Sequence, residues 1–130
     1  MRFVVGYDGS EVSKDALKLA AEYASPHKAK LYVVTSMKGG PEITREEFEG
    51  VERELEELEI QMREKGFDCQ SLLLVRGNEP GEDLVNFAVE KEASLIFVGI
   101  KHRSKVGKLI FGSTAQYTIL KSPCPVMTVK

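Results

Sequence analysis

Five short apolar runs punctuate the chain, at Phe3–Tyr7, Leu31–Thr35, Leu72–Val75, Leu95–Gly99 and Val126–Val129. Most are continuously apolar and rich in Val, Ile or Leu rather than alternating. That pattern predicts strands buried on both faces of a parallel sheet. Between the runs the period changes. After Ser10, the residues Val12, Ala16, Leu19, Ala20 and Tyr23 recur at steps of three and four, which predicts a helix ended by Pro26. Thr44 and Glu47 have capping-box spacing. Behind them Phe48, Val51, Leu55, Leu58 and Met62 form one apolar stripe, opposite a face of Glu, Arg and Gln, and Gly66 closes the helix. The stripe is expected to pack on its own sheet, since three heptads are barely enough for a coiled-coil seam. A third helix is predicted from near Pro80, with Glu82 and Asp83 in its first turn and Leu84, Phe87 and Ala88 facing inward. A fourth runs from about Gly112 to Lys121 and stops before Pro123.

The predicted order, β-α-β-α-β-α-β-α-β, argues for an α/β fold: one doubly wound three-layer sandwich around a five-stranded parallel sheet, a single domain over 1–130. In such sheets ligands sit beyond the carboxyl ends of the strands, where the strand order reverses. A flavodoxin-like order of 3-2-1-4-5 would make the first and fourth strands neighbours at that reversal. The first strand ends in Asp8-Gly9-Ser10, and the fourth ends in Gly99 and enters a basic loop. Composition alters this picture little. A net charge of -2 argues against general nucleic-acid binding. Cys69 and Cys124 lie far apart with no C-x-x-C partner, so reduced thiols are expected rather than a zinc site or a disulfide. No apolar run approaches the roughly 20 residues of a membrane span. The N-terminal run is broken by Asp8 and has no signal-peptide pattern, so a cytoplasmic protein is expected.

Candidate chemistry concentrates in the stretch VGIKHRSKVGKLIFGSTAQ, Val98 to Gln116. Gly112-Ser113-Thr114 opens a helix whose free N–H groups and dipole favour an anion. Ser113 and Gln116 also have capping-box spacing, which would give Ser113 a purely structural job. Lys101, Arg103, Lys105 and Lys108 crowd the loop before it. They suit either an anion or plain solvation. Asp8 could bond a ribose hydroxyl or hold magnesium, and could equally shape the turn into the first helix. The loop is no P-loop, because Gly107-Lys108 is followed by Leu109 and His102 stands at the first Gly position. His27 and His102 have no visible triad partner, and no general base is evident. An enzyme is therefore not expected, beyond slow ATP hydrolysis if Asp8 held magnesium.

The chain resembles the universal stress protein family over essentially its whole length. VVGYDGSEVSKDALKLA is similar to that family's first strand, turn and helix. SLIFVG is similar to its fourth strand, with Ser94 where Asp is usual. FGSTAQYTILKSPCPVMTV is similar to its last helix and strand. The resemblance implies an adenine-nucleotide-hydrolase-like sandwich and a regulatory role in stress response. The family's nucleotide-binding branch carries G-x2-G-x9-G-S/T and binds ATP or a related adenine nucleotide such as AMP. Here Gly99 and Gly112-Ser113 match, and His102 replaces the middle Gly. By this resemblance Tyr7, Asp8 and Val33 would flank the adenosine, and Gly99, Gly112, Ser113 and Thr114 would face ribose and phosphates. His102 and Arg103 could donate to phosphate, while the imidazole takes volume that a Gly leaves open. The alternative is a homodimeric interaction module that binds no nucleotide. The resemblance also implies a homodimer paired through the apolar edge strand Val126–Val129.

Overall fold

The computed structural model describes residues 1–100 and 112–130 in full, and residues 102–103 and 109–110 as backbone. In chain order the elements are β1 (Arg2–Gly6), α1 (Glu11–His27), β2 (Lys30–Ser36), α2 (Arg45–Glu64), β3 (Cys69–Leu74), α3 (Pro80–Glu90), β4 (Leu95–Gly99), β5 (His102–Arg103), β6 (Leu109–Ile110), α4 (Ser113–Lys121) and β7 (Val126–Val129). Five strands form one sheet in the order β3-β2-β1-β4-β7, with every pairing parallel. This is the expected 3-2-1-4-5 order once the short antiparallel pair β5–β6 is set aside.

Because successive strand side chains point to opposite faces, the sheet separates two apolar cores. Phe3, Val5, Leu31, Val33 and Phe97 meet α1 and α2 through Ala16, Ala20, Leu55 and Met62. Val4, Tyr32, Val34 and Ile96 meet Leu84, Phe87 and Ala88 of α3. α4 lies against α3, close enough that a Cβ on Gly81 would stand 2.9 Å from the Cβ of Tyr117. The stripe of α2 packs on the sheet as expected.

Two boundaries and one helix face differ from the pattern-based expectation. α1 continues through Pro26 to His27, and Lys28 ends it in a left-handed conformation with φ of 51°. Proline loses only one hydrogen bond when a helix stops within its own last turn. The buried side of α1 also shifts, with Ser13, Leu17 and Ala24 buried and Tyr23 exposed. β3 begins at Cys69, three residues before the apolar run, in register with Leu31 of β2.

That early start depends on α2. Leu31 N donates to Asp68 O and Met37 N to Leu74 O, so the even positions of β3 face β2 and the odd ones face the sheet's outer edge. On that edge Arg63 Nε donates to Cys69 O at 2.9 Å, and Ser71 N donates to Glu59 Oε1 at 2.6 Å. Side chains of α2 thus bond two of the outward backbone groups of β3. At the opposite edge, Ile96 N donates to Pro125 O and Ile100 N to Val129 O. The backbone of Val126 and Thr128 therefore turns outward, and no side chain among the described residues bonds it. Cys69 and Cys124 are both free. Burial is the main reason the Cys69 thiol is pushed up to about 11.

Candidate functional site

Where the sheet order reverses, the carboxyl ends of β1 and β4 part around a cavity of about 350 Å³. It opens on the face that carries α3 and α4. Gly6, Val34 and Val98 supply its floor, since they share the strand parity that points to this face. Pro80 and Leu84 of α3 close one side, and Gly112 to Ala115 at the start of α4 close another. Asp8, Ser10, Val12 and Ser13 bring the first turn of α1 to the rim. Its lining combines apolar side chains with a helix N-terminus.

The turn into α1 is built by short polar side chains. Asp8 Oδ1 accepts from Ser10 N at 3.0 Å and from Ser10 Oγ at 2.5 Å. Ser10 in turn caps α1 by accepting from Ser13 N. Gly9 sits between them at φ +83°, where a side chain would be strained. Asp8 therefore shapes the turn, and it also lines the cavity.

Gly99 has a packing reason. A Cβ there would lie 2.8 Å from Val12 Cγ1 and 3.1 Å from the Val12 backbone carbon. β-Branched Val12 has little freedom to move aside. Gly99→Ala is accordingly expected to lower stability by about 1–3 kcal/mol and to push α1 away from the rim. Urea denaturation measures the first effect, and a loss below roughly 0.5 kcal/mol would contradict the contact.

α4 starts at Ser113 with Gly112 as its N-cap, and no side chain bonds the cap position. The Ser113–Gln116 capping box is thus corrected. Gln116 N donates to Gly112 O within the ordinary helical ladder, and Ser113 occupies the first helical position, where its own N–H is one of the unclaimed donors. Thr114 and Ala115 share the same cavity wall. His102 and Arg103 are described only as backbone, paired with Ile110 and Leu109. Their side chains, and Lys101, Lys105 and Lys108, lie outside the described residues. Among the described residues no group of three or more His, Cys, Asp or Glu could hold a metal ion, and no helix is long and apolar enough to cross a membrane.

Tyr7 and Val33 fare differently. Tyr7 contributes to the cavity wall while its ring belongs to the α1–α2 core, where its Oη donates to Glu54 Oε1 at 3.1 Å. Val33 is fully buried in that same core and does not line the cavity. Val34, one residue on, points to the cavity instead, as strand alternation requires. Burial first, and then the bond to Glu54, push the Tyr7 phenol up to about 12. A phenol whose folded value lies above its unfolded one stabilises fully below pH ~10, and that contribution fades as pH rises toward 12. Wild type should therefore lose on the order of 2 kcal/mol more than Tyr7→Phe across that window. Parallel urea midpoints for the two proteins would contradict this.

Sequence reasoning missed Ser36 as a cavity residue, and its link through Asp83 to Asn78. Ser36 lines the cavity, and its Oγ donates to Asp83 Oδ2 at 2.5 Å. Asp83 is fully buried, and its other oxygen accepts from Asn78 Nδ2 at 3.1 Å. The available signal was an acidic residue one turn before Phe87, on the buried stripe of α3.

The sequence profile of the universal stress protein family matches residues 1–130. A universal stress protein of Thermus aquaticus, named for its place in the QAH/OAS sulfhydrylase 3′ region, is 33% identical over 98% of this chain and 96% of that protein. The structure of a universal stress protein from Archaeoglobus fulgidus has 40% identity and a TM-score of 0.89, covering 100% of this chain and 98% of that one. A second structure, of the Archaeoglobus fulgidus universal stress protein in complex with dAMP, has 35% identity, a TM-score of 0.83 and the same coverage. With the fold, the reversal-point cavity and these similarities together, the chain belongs to the universal stress protein family.

Proposed function

We propose that this chain is an adenine-nucleotide-binding regulatory protein of the stress response, holding AMP or ATP in the cavity at the strand-order reversal. The observation that carries this is the cavity's mixed lining. Val34, Leu84 and Val98 offer an apolar slot for a base, and the N-terminus of α4 at Gly112-Ser113-Thr114 offers N–H groups to phosphate. Its volume, about 350 Å³, lies within the range of small-ligand sites. The similarity to a protein solved with dAMP supports the same reading. In this arrangement Asp8 and Tyr7 flank the adenosine, Gly99 lets α1 approach the ribose, and His102 and Arg103 donate to the phosphates. Asp8 would be the protein's contribution to any magnesium carried in with ATP. No step of catalysis is assigned to these groups.

The direct test is calorimetric titration of nucleotide-stripped protein with AMP and with ATP, each with and without magnesium. Micromolar binding is the expected result. Absence of both heat and thermal stabilisation at millimolar nucleotide would overturn the reading. A second reading, an interaction module without nucleotide, is favoured by His102 in place of the family's middle Gly. Binding that appears only in His102→Gly would select it. Either module is proposed to work as a homodimer joined through Val126–Val129, whose outward backbone groups at Val126 and Thr128 await a partner strand. A monomeric mass at micromolar concentration would contradict that assembly.

A further inference from the structure

We infer that Ser36, held by Asp83, reads the exocyclic amino group of the bound base and so sets the preference for adenine over a 6-keto purine. The inference rests on the nucleotide reading above and adds a specificity determinant to it. Ser36 ends β2 and lines the cavity. The N-terminus of α4, where an anion is favoured, lines the same cavity, as does Gly99 at the end of β4. In the sheet β4 and β2 are separated by β1 alone, two strand spacings or about 10 Å. That is the reach from a nucleotide's phosphate to the far edge of its base. The span between is apolar, with Val98, Gly6, Val34 and Leu84. With the phosphate at α4, the base edge is inferred to lie toward β2, where Ser36 lines the same cavity.

The chemistry at that edge is decided by one proton. A serine hydroxyl has one hydrogen to give and lone pairs to receive. Ser36 gives its hydrogen to Asp83 Oδ2 at 2.5 Å. Asp83 is 0% exposed and is held from its other side by Asn78 Nδ2, so the carboxylate is fixed in place. Toward the cavity Ser36 Oγ can then only accept. An amino group on the base meets an acceptor and forms a bond, whereas a carbonyl oxygen there meets a second acceptor. A polar site that cannot pair a ligand's group discriminates strongly against it. Asp83 acts through Ser36 and is a positioning residue, while Ser36 is the group that touches the base.

The test compares AMP with IMP, which differ at this position by an amino group against a carbonyl. Wild type should bind AMP about 10- to 100-fold more tightly than IMP. In Ser36→Ala that ratio should fall to within about threefold, with melting curves confirming the fold. In Asp83→Asn the new amide can accept from Asn78 and donate to Ser36. The serine hydrogen then swings into the cavity, and the preference should shift toward IMP. A merely structural role for Asp83 would weaken both nucleotides equally. If Asp83→Asn does not fold, Ser36→Ala still decides. A wild type that binds AMP and IMP alike, or a Ser36→Ala protein that keeps the wild-type ratio, would overturn this inference and leave nucleotide binding standing. Failure of wild type to bind either nucleotide would overturn both.

Discussion

Phe97→Ala is expected to lower the unfolding free energy by about 3–5 kcal/mol. Phe97 is fully buried on β4, in the interior of the sheet. Its ring lies 5.5 Å from that of Phe3, tilted, and 5.9 Å from that of Tyr23, edge-on. The truncation therefore removes transfer free energy, leaves a cavity under α1, and breaks two aromatic pairs. The partly exposed ring of Tyr23 can relax into the space, which argues for the lower half of that range. Urea denaturation should show a lower midpoint with an unchanged slope, and the melting temperature should drop by roughly 10–20 °C. A loss under about 1.5 kcal/mol would mean that α1 collapses onto the sheet far more readily than its packing suggests.

Leu84→Ala is expected to cost about 2–5 kcal/mol and to weaken nucleotide binding in the same protein. Leu84 is 3% exposed, and a Cβ built on Gly6 would sit 3.1 Å from its Cδ2. The same side chain belongs to the α3 core and to the cavity wall. Its loss hollows the apolar slot from behind, so a base placed there would lose contact over one face. Two readouts separate the roles, chemical denaturation for the core and titration with AMP for the slot. A protein that loses stability yet binds AMP as tightly as wild type would mean that the base does not rest on this wall.

Much of the architecture was legible because the strands are apolar along their whole length and the helices are not. The ends of β1 and β4, and the start of α4, announced themselves through Asp8-Gly9-Ser10, Gly99 and Gly112-Ser113. The same continuity concealed parity. In a strand buried on both faces nothing alternates, so Val33 and Val34 looked equivalent, and only the structure assigns Val34 to the cavity. The start of β3 was hidden because Cys69, Gln70 and Ser71 lack the apolar signature, and their order depends partly on Arg63 and Glu59 of the preceding helix. The link from Ser36 to Asp83 spans 47 positions and has no local pattern at all. The Ser113 capping box matched in spacing but lost to Gly112, whose extended φ of -65° and ψ of 158° let it take the cap position itself.

The unequal edges of the sheet bear on how many copies can join. A strand with outward backbone groups is a template, and identical templates at both sides of a sheet would let copies add without end. Here α2 already bonds two outward groups of β3, Cys69 O and Ser71 N, through Arg63 and Glu59, while among the described residues no side chain bonds the outward groups of β7. Two copies meeting β7 to β7 would consume the open side of each and leave a ten-stranded sheet ending in β3 strands whose edges α2 partly covers. If copies pair through β7, the less open edge of β3 would favour a closed pair over a filament, with no need for a surface that repels a third copy.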